Sequence, residues 1–201
     1  MSTDSEIIAA SVNSPALFAE IFDRHAKTIG DYARRRVGST AVDDVLSETF
    51  LVAFRRRTSF DRQYDTARPW LLGIATRVIR RHRASEAAQW RAFERASGVQ
   101  ERFAGSHDHD ADARIDASAA VRALGPRIAA LSSKDRDTLL LYAWGDLTYE
   151  QVAEALEVPV GTVRSRLNRV RRKLAPPGSR GAARLTWMAK EESDAAYGTS
   201  A

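Results

Sequence analysis

The stretch from Asp146 to Leu174, DLTYEQVAEALEVPVGTVRSRLNRVRRKL, leaves this chain little freedom in how it folds. Thr148, with Gln151 three residues on, has the pattern of a capping box and predicts a helix start. Val152, Ala153 and Leu156 give that helix an apolar face. Glu157-Val158-Pro159 then ends it, because proline cannot continue a helix and pushes its predecessor into extended geometry. A second helix follows at once, with Val160, Val163, Leu167, Val170 and Leu174 spaced 3, 4, 3 and 4 apart. That spacing keeps one apolar stripe against the rest of the protein.

The residues off that stripe carry the chemistry. Helical phase turns Ser165, Asn168, Arg169 and Arg172 outward, with Thr162, Arg164 and Arg166 on the flanks. Between Val160 and Leu174 there are six Lys or Arg and no acid, whereas a merely solvated face mixes both signs. A nucleic-acid duplex offers phosphates along its backbone and acceptor-rich base edges in its major groove. Arg, Asn, Ser and Thr on an exposed helix suit both. Short helix, turn and longer basic helix form a helix-turn-helix with the second helix as reader.

Composition narrows the choice of partner and chemistry. The net charge of +5 over 201 residues favours a polyanion. The absence of cysteine removes disulfides, thiolate metal ligands and thiol nucleophiles, and fits a reducing compartment. No apolar run approaches the ~20 residues of a membrane span. The start, MSTDSEIIAASVNSP, lacks the basic and apolar pattern of a secretion signal, so a cytoplasmic protein that is not membrane-inserted is expected.

In chain order, residues 1 to 13 read as a loose tail. Ser14 and Pro15 make a helix start. Leu17, Phe18, Ile21, Phe22, Ile29 and Tyr32 then form its buried face, and Gly38 stops it. Ser39 or Thr40 is the expected cap of the next helix. Val42, Val45, Leu46, Phe50, Ala53 and Phe54 face the core there, with Asp43, Asp44, Ser47 and Glu48 on the other side. Asp43 and Asp44 favour the positive end of the helix dipole, a sufficient reason for acids in a first turn. Glu48 lies beyond that turn, and an acidic face in a basic protein also suits a partner with basic residues. Both explanations stand on this stretch alone.

Residues 58 to 67, TSFDRQYDTA, read as a loop. Pro69 restarts a helix with Trp70, Leu71, Ile74, Ala75, Val78 and Ile79 on its buried side, and its far half turns basic with Arg77, Arg80, Arg81 and Arg83. Phe60, Tyr64 and Trp70 beside Arg68 and those arginines have the parts of a single-strand surface, rings for stacking and cations for the backbone. A tryptophan at such a position is more often a core residue than a stacking platform, so Trp70 is weaker support for that surface than the arginine cluster.

From Ala84 to Ala117 the pattern fades into a polar, acidic linker containing GSHDHDADAR, although Ser85 to Phe103 has partial helical character. His107 and His109 beside Asp108 and Asp110 resemble metal ligands by type, but the run offers no supporting shell, so neither metal nor cofactor is expected. A second folded unit spans 118 to 175. Gly125-Pro126 should interrupt its first helix, and Ser132 with Asp135 forms another capping box ahead of Leu139, Leu140, Leu141 and Trp144. Pro176-Pro177-Gly178 closes the unit, and 176 to 201 is a tail. The expected fold is all-α: two small helical bundles, 14–83 and 118–175, on a flexible linker, 84–117.

Together the halves resemble an extracytoplasmic-function (ECF) RNA polymerase sigma factor. DDVLSETFLVAFRR resembles region 2.2 of that family, and RPWLLGIATRVIRRHR resembles regions 2.3 and 2.4. LSSKDRDTLLLYAWGDLTYEQVAEALEVPVGTVRSRLNRVRRKL resembles region 4, with VPVGTVRSRL its most characteristic run. Ser47 stands where the family often has glutamine, and Thr76-Arg77 where Arg-Asn is frequent. The resemblance implies a non-catalytic factor with no small-molecule substrate. Asp43, Asp44, Ser47 and Glu48 would meet the clamp helices of core RNA polymerase. Phe60, Tyr64, Arg68, Trp70, Arg77, Arg80 and Arg81 would capture the promoter −10 element. Thr162, Arg164, Ser165, Arg166, Asn168 and Arg169 would read the −35 element, and an anti-sigma factor would hold the protein inactive. Two rivals are weaker. A conventional helix-turn-helix regulator needs neither the acidic helix nor the arginine-rich one. An enzyme would need a nucleophile, a phosphate-cradling loop or a histidine set among acids on an ordered element.

Overall fold

A computed structural model describes residues 2–97 and 125–175. The chain divides into two compact units, Met1–Arg114 and Ile115–Ala201. Every regular element among the described residues is helical.

The first unit opens on a helix where a tail is expected. Helix α1, Asp4–Ser11, starts at a capping box: Thr3 Oγ1 accepts from the Glu6 amide at 3.2 Å, and Glu6 Oε2 accepts from the Thr3 amide at 3.0 Å. Ile7 and Ile8 are buried, Ile8 to 1 %, which anchors a helix too short to persist alone. The unit therefore begins before Ser14. A 3-10 turn over Pro15–Phe18 leads into α2, Ala19–Val37, and Ser14 makes no side-chain cap. Gly38 ends α2 with φ 72°, a left-handed value that strains any residue bearing a Cβ. Helix α3, Val42–Arg56, starts at Ala41, so neither Ser39 nor Thr40 caps it; Asp43 and Asp44 in its first turn offset the orphan amides electrostatically instead. Helix α4, Arg68–Ser97, runs well beyond residue 83, into the stretch expected to be linker.

Ile21, Ile29, Tyr32, Val45, Ala53, Leu71, Leu72, Ile74 and Ile79 form the core between α2, α3 and α4. Leu17 and Phe22, expected in that core, are instead exposed. The Phe22 ring still meets Phe50 edge-on at 4.8 Å, so it covers the core from outside. A polar chain crosses the interior: Arg36 donates to Tyr32 Oη at 2.8 Å, Tyr32 Oη lies 2.8 Å from Thr76 Oγ1, and Thr76 donates to the Leu72 carbonyl. Thr76 is thus a satisfied interior residue, buried where a long basic side chain would not fit without rearrangement.

In the second unit residues 125–129 are helical (α5), Gly125 and Pro126 included. Next come α6, Ser133–Trp144, α7, Tyr149–Leu156, and α8, Val160–Leu174. Leu131, Leu139 and Val170 form a buried cluster with Ile128 and Leu174 packed at its edge. Leu141, Leu147, Val152, Val163 and Leu167 are buried as well. Trp144, at the end of α6, is exposed. The expectations for Ser118 to Leu124, for His107 and His109 and for the tail fall outside the described residues.

Candidate nucleic-acid interface

The turn between α7 and α8 is built from short-range chemistry. Thr148 Oγ1 accepts from the Gln151 amide at 3.3 Å, and Gln151 Oε1 accepts from the Thr148 amide at 3.0 Å, so the capping box is closed on both sides. Glu157 takes the left-handed conformation with φ 55° and turns the chain, and Pro159 stands at the N-cap of α8. Val163, Leu167 and Val170 are buried to 2 % or less and fix the rotation of α8 about its axis. At its other end Arg127 donates to the carbonyls of Lys173 and Ala175, satisfying acceptors that the helix leaves open.

With the stripe fixed, the other side of α8 points away from the unit. Arg164, Ser165, Asn168, Arg169 and Arg172 are exposed, and Thr162 and Arg166 are half-buried. Their neighbours separate them. Arg164 stands on the outer face; Ser165 Oγ donates back to the Thr162 carbonyl at 2.9 Å. Arg166 leans toward α6, its Nη1 3.5 Å from Thr138 Oγ1. Arg171 donates to Asn168 Oδ1 at 3.1 Å and to Tyr149 Oη at 2.7 Å, which orients the Asn168 amide. Arg169 is turned furthest from the expected role: its guanidinium donates to Asp135 Oδ1 at 2.9 Å, on a carboxylate only 1 % exposed. Ser132 does accept from the Asp135 amide, but the Asp135 side chain faces α8. Sequence reasoning gave this acid a capping role and missed its pairing with Arg169, because the two lie 34 positions apart.

In the first unit the loop before α4 is held from behind by α1, a support no sequence pattern announced. Ser5 Oγ donates to the Arg62 carbonyl at 3.0 Å, and the Asp4 amide donates to the Asp65 carbonyl at 3.1 Å. Asp4 Oδ2 accepts from the Ala67 amide at 2.9 Å and from His25 Nε2 at 2.6 Å, while Oδ1 takes Arg24 at 3.0 Å. Burial alone would push the Asp4 carboxyl up. The hydrogen bonds from Ala67, His25 and Arg24 outweigh it and hold the group below the ordinary carboxylate value.

That support leaves Tyr64 exposed at the loop's outer edge. Phe60 departs from expectation: it is 6 % exposed and meets Trp70 edge-on, centroids 5.2 Å apart, so it props the tryptophan and presents no stacking face. Trp70, Arg68 and Arg77 are half-buried, and Arg80 and Arg81 are exposed. On α3, Asp43, Asp44 and Ser47 are exposed, and Glu48 pairs with Arg81 across to α4. Leu51, one turn beyond Ser47 and 47 % exposed, adds an apolar residue to that acidic face which sequence reasoning did not single out.

These two helical units match two known families. Residues 21–89 match sigma-70 region 2, and residues 122–174 match sigma-70 region 4. The chain is 33% identical over 135 residues to a probable RNA polymerase sigma-C factor of Mycobacterium bovis, covering 67% of this chain and 68% of that one. It is 26% identical over 165 residues to the ECF RNA polymerase sigma factor SigL of Mycobacterium tuberculosis, covering 82% and 90%. The solved structure of CnrH in complex with the cytosolic domain of CnrY shares the fold, with a TM-score of 0.57 at 22% identity over 85% of this chain and 94% of that one.

The fold and the basic reading helix define a DNA-binding transcription factor built from two sigma-type units. The chain belongs to the ECF RNA polymerase sigma factors, which direct the polymerase to promoters. No helix among the described residues is long and apolar enough to cross a membrane.

Proposed function

We propose that this chain docks on the clamp helices of core RNA polymerase through α3 and engages a promoter with both units, doing no covalent chemistry itself. Asp43, Asp44, Ser47 and Glu48 are the docking residues, with Leu51 as the apolar centre of the patch. Tyr64 and Trp70, with Arg68, Arg77, Arg80 and Arg81, take the −10 element as it opens; rings accept splayed bases and guanidinium groups follow the backbone. Phe60 acts behind Trp70. Arg164, Ser165 and Asn168 meet base edges of the −35 element, flanked by Thr162 and Arg166. The 14–83 and 118–175 segments, α1 now joined to the first, are the working units. The protein acts in the cytoplasm, where an anti-sigma factor covers it until a signal releases it.

The observation that carries this reading is the presentation of α8, with Val163, Leu167 and Val170 buried and Arg164, Ser165 and Asn168 left outward together. Core polymerase plus this protein should give a run-off transcript from a defined promoter with no other sigma present. Transcripts that require a second sigma would make this chain an ordinary helix-turn-helix regulator. Asp44→Arg tests the docking face, and it is cleaner than a change at Glu48, which would also break the pair with Arg81. It should cut co-purification with core polymerase at least several-fold and leave binding of the full chain to duplex DNA intact. Unchanged co-purification removes α3 from the interface.

A further inference from the structure

Of the six cations on α8, two share a single buried acid. Asp135, in the first turn of α6, offers Oδ1 to Arg169 at 2.9 Å and Oδ2 toward Lys173 at 3.7 Å. The carboxylate is 1 % exposed, whereas each cation keeps 49% of its side chain in contact with solvent. Arg169 and Lys173 lie one turn apart on α8, so one carboxylate reaches both. A carboxylate shut away from water needs compensating charge, and these two side chains supply it.

We propose that Asp135 is a positioning residue that sets the specificity of α8: it commits Arg169 and Lys173 to the fold and keeps them off the phosphates. The inference rests on the reading of α8 as the −35 helix. Phosphate contacts raise affinity for every sequence equally, while base contacts discriminate. Holding two of six cations on an internal acid lowers sequence-independent binding and leaves the choice of site to Arg164, Ser165 and Asn168. Arg169 is then a fixed strut of the reading helix, not a reader of bases.

The consequence is measurable as salt dependence, since each phosphate neutralised adds ~0.9 to the slope of log K against log salt. The probe is a random-sequence DNA duplex of about 20 base pairs, titrated with the full-length chain. Asp135→Asn keeps the shape and removes the charge. It should steepen the slope by up to ~1.8, equal to roughly a twelve-fold larger loss of affinity between 50 and 200 mM salt. The triple variant Asp135→Asn, Arg169→Gln, Lys173→Gln removes acid and cations together and should return the wild-type slope. A triple variant with a shallower slope than wild type would show that Arg169 or Lys173 already touches phosphate, and would overturn the proposal. So would an Asp135→Asn protein, folded by circular dichroism, with an unchanged slope. If the single variant does not fold, the triple variant decides alone. Arg164→Ala separates this from the underlying reading: as the loss of a base contact it should cut the preference for a duplex carrying the promoter −35 element over the random duplex at least several-fold, and if that preference is unchanged, α8 is not the DNA-facing helix and that reading falls first.

Discussion

Asp4 shows how one side chain converts local sequence into long-range order. It stands in the first turn of an eight-residue helix, yet its carboxylate ties together α1, α2 and the loop before α4 through Arg24, His25 and Ala67. Its folded-state pKa is depressed, so the sign of its linkage is fixed. The stability it contributes is complete above the unfolded value of ~3.9 and is lost as pH falls through the folded value beneath it. Asp4→Asn keeps an acceptor for the Ala67 amide but gives up the charge facing Arg24 and His25. At neutral pH it should cost ~1.5–3 kcal/mol, the range for hydrogen bonds to charged groups. Urea titrations of both proteins should show that gap at pH 7 and show it closing as the pH drops below ~4. A gap that stays constant over this range would mean that the charge on Asp4 contributes nothing and the lost packing everything.

At the scale of elements, α7 depends on its cap. It has eight residues, and an isolated helix of that length does not hold in water. Thr148→Ala removes the acceptor for the Gln151 amide and should destabilise the second unit by ~1 kcal/mol, seen as a lower melting temperature. Thr148→Ser keeps the hydroxyl and should recover most of the loss. The same element shows what could be read from the chain. The Thr148–Gln151 pair and the valine-leucine stripe of α8 are contacts three or four residues apart, so sequence spacing states them directly. Helix α1 carries the same kind of signal in Thr3 and Glu6, but its two adjacent isoleucines show no period, and it passes for a tail. The far half of α4 extends where the apolar pattern has already faded. The candidate site was legible as residue types on faces; Arg169 on Asp135, Glu48 on Arg81 and Phe60 on Trp70 were not, because each pair joins two elements or a loop to a helix.

The molecule as a whole consists of two units that each bury their own apolar side chains. A sigma factor must hold polymerase with one part while another searches the upstream DNA, and separate cores let damage to one leave the other working. Leu141 is fully buried in the second unit, and Leu141→Ala opens a cavity worth ~2–5 kcal/mol. A bundle as small as α5–α8 holds little stability in reserve, so this change should unfold it at physiological temperature. The variant should then lose α8-dependent binding to duplex DNA. Hydrogen exchange in α2, α3 and the first half of α4 should stay slow, and the full chain should still be retained by immobilised core polymerase through Asp44 and its neighbours. Fast exchange spreading into α2 and α3 would instead mean that the units fold as one cooperative body, and that polymerase binding and promoter reading cannot be lost separately by mutation.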